Sequence, residues 1–198
     1  MRIASAALLM LALAGLANGD DACPIGYYRV CLGACLCSPV DPGQAGQVLQ
    51  GIEQMAAKSL ALALQQVRDQ AQARGTQSIP LHIRAQLEPW YDFAVLDAAR
   101  YRVDDGQSLG SASALMHNPD INALTLIDTI IFRHATDAED DLVLWAHELK
   151  HVQQYQALGV DGFAQRYTHD FDSLEAPAYV IEAEVRRALR EHASGQAR

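Results

Sequence analysis

Leu142-Val143-Leu144-Trp145-Ala146-His147-Glu148-Leu149-Lys150-His151 is the stretch on which the reading of this chain turns. An apolar run leads into His-Glu-Leu-Lys-His, an H-E-x-x-H pattern whose meaning comes from helix geometry. Residues four apart lie one turn apart on the same helix face, so His147 and His151 can reach one ion while Glu148 sits beside them. Zn2+ in such a site lowers the pKa of a bound water, and a neighbouring carboxylate can take the proton. The pattern therefore points to metal-assisted amide hydrolysis, with His147 and His151 as ligands and Glu148 as general base.

A catalytic zinc commonly has three protein ligands and one open position, so a third is needed downstream. Three glutamates qualify. Glu175 lies in Ser173-Leu174-Glu175-Ala176-Pro177, where Ser173 can cap a helix and Pro177 is tolerated in its first turn, placing Glu175 at the N-terminal end. Glu182 is second choice, and Glu184, near Arg187 and Arg190, reads as solvent-exposed. The ordinary alternative for Glu175 is a carboxylate interacting with the helix dipole.

Upstream, Asp137 to Asp141 supplies acidic residues where the dipole of the same helix favours them. Ala123-Leu124-Thr125-Leu126-Ile127-Asp128-Thr129-Ile130-Ile131-Phe132, rich in β-branched residues after the turn signal Asn118-Pro119-Asp120, reads as a single strand. Ala99 to Val103 reads as another, ending at Asp104-Asp105-Gly106. Asp128 breaks the apolar run and is read as orienting a ligand histidine or as a polar strand-edge residue. From Gln44 to Arg74, apolar residues recur at helical spacing up to Gly75, and a shorter helix is expected between Ser78 and Glu88, ahead of Pro89. Helices outnumber strands, and the class is α+β.

The chain has 198 residues, half of them apolar, enough for one sizeable core. Arg2 followed by the apolar run Ile3 to Leu16 and small residues Ala17 and Gly19 reads as a signal peptide over residues 1–19. Export places the four cysteines, Cys23, Cys31, Cys35 and Cys37, in an oxidising compartment, secreted or periplasmic. Two disulfides stapling an extension over residues 20–43 are expected, with Cys35 to Cys37 the least comfortable pairing; a four-thiolate zinc site is the rival. Ser38 to Gly43 is turn chemistry leading to a main domain over residues 44–198. A net charge of −9 with scattered cations argues against a nucleic-acid partner. No membrane partner is expected after signal cleavage.

Trp145 to Tyr155, with Gly159, Phe163, Tyr167, Leu174-Glu175 and Ala178-Tyr179, resembles the core domain family of extracellular contractile injection systems, as does the upstream segment Leu124 to Arg133. The likeness spans Arg100 to Glu184. The resemblance implies a zincin-like fold of the glutamate-zincin type, a zinc ion held by His147, His151 and Glu175, Glu148 as base, and a peptide or protein substrate. Members often carry a second glutamate two residues further on, where this chain has Pro177. In such a fold an extended peptide would pair with the edge of the strand around Leu124 to Phe132. A zinc-binding pseudoenzyme serving as a binding or toxin-delivery module is the alternative, and a metal-free helical domain the third. Tyr155, Tyr167, His169 and Tyr179 are weak candidates for an oxyanion donor, whereas His82, His117, His134 and His192 lack ligand spacing and read as exposed.

Overall fold

The computed structural model of the chain describes residues 23–32, 34–39, 41–104 and 121–196. The segment read as a signal peptide, the turn signals at residues 105–106 and 118–120, and His117 lie outside them. The chain divides into two compact units, Met1–Ile52 and Glu53–Arg198.

In the first unit, strands β1 (Tyr28–Leu32) and β2 (Ala34–Ser38) form an antiparallel hairpin in which Cys31 stands opposite Cys35. Cys23 and Cys37 form a disulfide, which rules out the four-thiolate site. The side chains of Cys31 and Cys35 lie outside the described residues, and with them the second expected bridge.

Helix α1 (Pro42–Ala73) starts on a proline, whose missing N–H is no loss in a first turn, and ends before Gly75, which takes φ +94. Beyond it come β3 (Gln77–Ser78), α2 (Leu81–Leu87), α3 (Phe93–Ala98) and β4 (Arg100–Val103). The sequence reading missed α3, six residues after Asp92 and too short to show a helical repeat.

The long strand expected over Ala123 to Phe132 is instead a hairpin of β5 (Ala123–Leu126) and β6 (Thr129–Phe132). Its turn is Ile127-Asp128, with Ile127 at φ 61, a conformation that β-branched residues rarely adopt and no turn signal announces. Asp128 does not orient a ligand histidine. Its carboxylate accepts from Gln72 Nε2 at 3.1 Å and Thr129 Oγ1 at 3.0 Å and lies 3.9 Å from Arg68, while its carbonyl accepts the Arg100 N–H. The polar residue in the apolar run thus ties the hairpin turn to α1.

The four-stranded sheet runs β3-β4-β6-β5, with β4 and β6 parallel and the other pairs antiparallel. The period of two sends alternate β6 residues to opposite faces. Ile130 and Phe132 join a core with Trp145, Leu149 and Val152, while Ile131 packs with Leu126 against Val67 and Ala71 of α1. Both faces are covered, which explains why all four β6 residues are buried.

The acidic helix start resolves into two helices, α4 (Ala135–Asp140) and α5 (Leu142–His169). Asp141 separates them and caps the second, its carboxylate accepting the Leu144 N–H at 2.9 Å. Trp145 is fully buried, donates its indole N–H to Ala138 O at 2.9 Å, and meets Phe132 and Tyr101 at ring distances of 4.6 and 5.3 Å. Tyr91 adds a hydroxyl hydrogen bond to the Ala146 carbonyl. These contacts fix the rotation of α5 just ahead of His147. Further on, α5 breaks at Gly159 (φ 68, ψ 166) before its final turns. Helix α6 (Asp172–Gln196) follows a short turn and carries Pro177 in its interior, two residues deeper than expected. Asp170, not Ser173, serves the entry, accepting the Ser173 N–H through its carboxylate and the Ser173 hydroxyl through its carbonyl. The described protein is thus mostly helical with a small mixed sheet, an α+β arrangement.

Candidate metal centre

Along α5, His147 meets Glu182, His151 meets Glu175, and Gln154 meets Leu174. Later residues of α5 face earlier residues of α6, so the two helices run antiparallel, and this register carries Glu175 to the histidine pair.

His147 Nε2 and His151 Nε2 are 3.2 Å apart; Glu175 Oε2 is 3.4 Å from the former and Glu175 Oε1 is 3.4 Å from the latter. One potential ligand atom from each of the three residues falls within 4.8 Å of the others. A tetrahedral zinc with bonds of about 2.0–2.1 Å has ligand atoms about 3.3 Å apart, so the His147–His151 spacing matches one edge of such a site, while Glu175 approaches each imidazole with a different oxygen. The donor set, two imidazoles and a carboxylate, is also the chemistry of a catalytic zinc. The residues fit the ion.

Glu182 stands outside this group. Its Oε2 lies 3.4 Å from His147 Nδ1, the nitrogen turned away from the cluster, and its other oxygen pairs with Arg186 one helical turn on. Seven residues separate Glu175 and Glu182, two turns on one face of α6, which is why both reach α5. Glu184 is half-buried rather than exposed.

Burial disfavours a charged His147, but the hydrogen bond with Glu175 and the negative charges of Glu148, Glu175 and Glu182 outweigh it, and the pKa rises above its ordinary value. Glu175 shows the converse. Burial would raise it, yet the His147 hydrogen bond and the charges of His151 and His147 hold its pKa below the ordinary value. The directions agree: without metal each group favours the charged form of the other, and a cation entering the site competes with the His147 proton.

Glu148 is buried, and its Oε2 accepts the Thr125 hydroxyl at 2.6 Å. Thr125 occupies the face of β5 shared with Ala123, the one turned to α5. The sequence reading gave Thr125 no role, although a polar residue at an inward strand position is a legible signal. Gln154 was also passed over: its Oε1 is 2.9 Å from His151 Nδ1 and its Nε2 donates to Leu174 O at 2.7 Å.

The tyrosines divide by environment. Tyr155 is buried and stacked on Phe163 at 3.7 Å, with burial pushing its hydroxyl pKa upward, so it is a packing residue. Tyr167 and Tyr179 are exposed, and the Tyr179 ring stands edge-on to His147 at 5.0 Å. His169 is exposed and pairs with Glu53 at 2.7 Å. His82, His134 and His192 are exposed as expected, His82 contacting the Glu139 carbonyl at 2.7 Å.

A family model described as the eCIS core domain matches residues 78–159, supporting the resemblance drawn from the sequence. The matched stretch begins earlier than Arg100, includes β4 to β6 and the His147–His151 segment, and ends at Gly159, before Glu175. No curated protein and no solved structure matches the chain.

Proposed function

We propose that the protein is a zinc-dependent peptidase that hydrolyses peptide bonds, with His147, His151 and Glu175 as metal ligands and Glu148 as general base. The observation that carries this is the convergence of one potential ligand atom from each of the three residues, within 4.8 Å of one another, from two antiparallel helices. Zinc, when bound, supplies Lewis acidity to a water and to the scissile carbonyl. Glu148 supplies the proton acceptor, and the Thr125 hydroxyl holds one of its oxygens, leaving the second to take a proton.

A zincin-like reading of the fold is supported by the sheet. Within the described residues β5 pairs with β6 on one side and lies at the end of the strand order, on the side where Thr125 meets the ligand helix. An extended peptide substrate would add to that edge through main-chain hydrogen bonds. Export to a secreted or periplasmic location is supported by the signal-like N-terminus and by the Cys23–Cys37 disulfide. Among the described residues no helix is long and apolar enough to cross a membrane.

One observation favours a second reading. A buried Glu148 held by Thr125 equally suits a zinc-binding pseudoenzyme acting as a binding or toxin-delivery module, in which the metal only stabilises the fold. Zinc content and hydrolysis of a denatured-protein mixture, compared between wild type and Glu148→Gln, separate the two. The peptidase reading expects both proteins to bind zinc and only the wild type to cleave. Zinc in both with cleavage in neither supports the pseudoenzyme, and a metal-free wild type in zinc-containing buffer overturns both.

A further inference from the structure

The Gln154 side chain bridges the two helices that supply the ligands. Its Nε2 donates to the Leu174 carbonyl at 2.7 Å. A carbonyl only accepts, so this contact assigns the amide: nitrogen toward Leu174, oxygen toward His151. That oxygen, 2.9 Å from His151 Nδ1, is itself only an acceptor, so the hydrogen between them belongs to Nδ1. A neutral His151 with its hydrogen on Nδ1 has its lone pair on Nε2, the atom facing Glu175 and His147.

We infer that Gln154 is a positioning residue of the centre. It fixes the His151 tautomer with Nε2 free to ligate, and through the Leu174 carbonyl it sets the register of the residue next to Glu175. The second effect is as specific as the first. Leu174 is buried and immediately precedes Glu175, so one amide ties the ring of one ligand to the backbone carrying another across the α5–α6 seam. Removing partners that orient metal ligands in this way commonly lowers metal affinity about 10–100-fold. The inference rests on the metal-site reading only for its affinity consequence, since the tautomer is a property of the metal-free chain.

The test uses the whole protein labelled with 15N in its histidines, stripped of metal at pH 8, as wild type, Gln154→Leu and Gln154→Glu. Imidazole free in water favours a hydrogen on Nε2. The expected result is an Nδ1–H tautomer for His151 in wild type and in Gln154→Glu, whose carboxylate still accepts, and loss of that preference in Gln154→Leu. Zinc affinity, measured by competition with a chromophoric chelator, is expected to fall about 10–100-fold in Gln154→Leu. A wild-type His151 carrying its hydrogen on Nε2, or a Gln154→Leu protein with unchanged tautomer and unchanged zinc affinity, overturns the positioning role. If wild type binds no zinc while the tautomer changes as described, the positioning role stands and the metal reading falls. Should Gln154→Leu fail to fold, wild type against Gln154→Glu decides the tautomer, and an Nε2–H form in either sinks the inference.

Discussion

Replacing Thr125 by valine removes one hydroxyl from a buried carboxylate and changes little else in size. The hydroxyl lies 2.6 Å from Glu148 Oε2 and 3.1 Å from the Glu148 carbonyl oxygen, but it has one hydrogen to give. The shorter contact falls within the range of charge-assisted O–H···O− bonds, so the hydrogen goes to the carboxylate. Thr125 is 6% and Glu148 5% exposed, leaving little room for water to replace the lost donor. A hydrogen bond to a charged group contributes about 1.5–3 kcal/mol, so Thr125→Val is expected to lose about 2 kcal/mol. For a domain of this size that lowers Tm by about 4–8 °C. Urea unfolding in the presence of a chelator measures the loss without a contribution from metal binding. Thr125→Ser, which keeps the hydroxyl, serves as control. A double-mutant cycle with Glu148→Gln then isolates the pair, and its coupling is expected to exceed about 0.5 kcal/mol, the scatter of independent sites. Loss under about 0.5 kcal/mol in Thr125→Val, with no coupling in the cycle, would refute the assignment of this hydroxyl as the anchor of Glu148.

Gly159 holds φ 68 and ψ 166, a region open essentially to glycine alone, while a Cβ there meets no atom within 4 Å. Gly159→Ala is therefore expected to cost about 1–3 kcal/mol through the backbone, read by thermal unfolding, and an unchanged Tm would show that the break in α5 does not exist. In metal-free protein the His147–Glu175 pair links folding to pH from both sides. The raised His147 pKa gives stability fully present below pH 6.5 and lost as pH rises through the raised value; the lowered Glu175 pKa gives stability present above pH 4.5 and lost as pH falls through the lowered value. Relative to Glu175→Gln, wild-type unfolding free energy should therefore peak between pH 4.5 and 6.5, and parallel profiles for the two proteins would contradict the pairing. The same competition makes zinc binding weaken by up to tenfold per pH unit below the raised His147 pKa, one proton leaving per ion, which a chelator titration at several pH values measures.

Local chemistry made one half of the candidate centre legible and concealed the other. His147, Glu148 and His151 were readable because a helical turn brings residues four apart together whatever the rest of the chain does. Glu175 could be ranked above Glu182 and Glu184 but not separated from them, because all three lie on one later helix and the choice depends on how that helix is entered. Thr125 went unread because its partner Glu148 lies on another element, and Gln154 because its bridge needs Leu174 of the next helix as well as His151 one turn back. The β5–β6 hairpin was illegible because its turn uses Ile127 in a conformation that isoleucine disfavours by itself. Tertiary contacts, including those from α1 to Asp128, maintain it.

By itself, then, the amino-acid order determined what repeats at short range: helical spacing over α1 and α5, β-branched runs over β5 and β6, and a pair of imidazoles one turn apart. Only the folded chain decided which carboxylate meets them. The turn at Asp170 and the antiparallel α5–α6 register set Glu175 against the Nε2 atoms and Glu182 against the far side of His147. The physical reason is that helix formation fixes neighbours within a turn through the backbone alone, whereas contacts between helices depend on the packing of faces whose rotation and register are set elsewhere, here by Trp145, Tyr91 and Gln154.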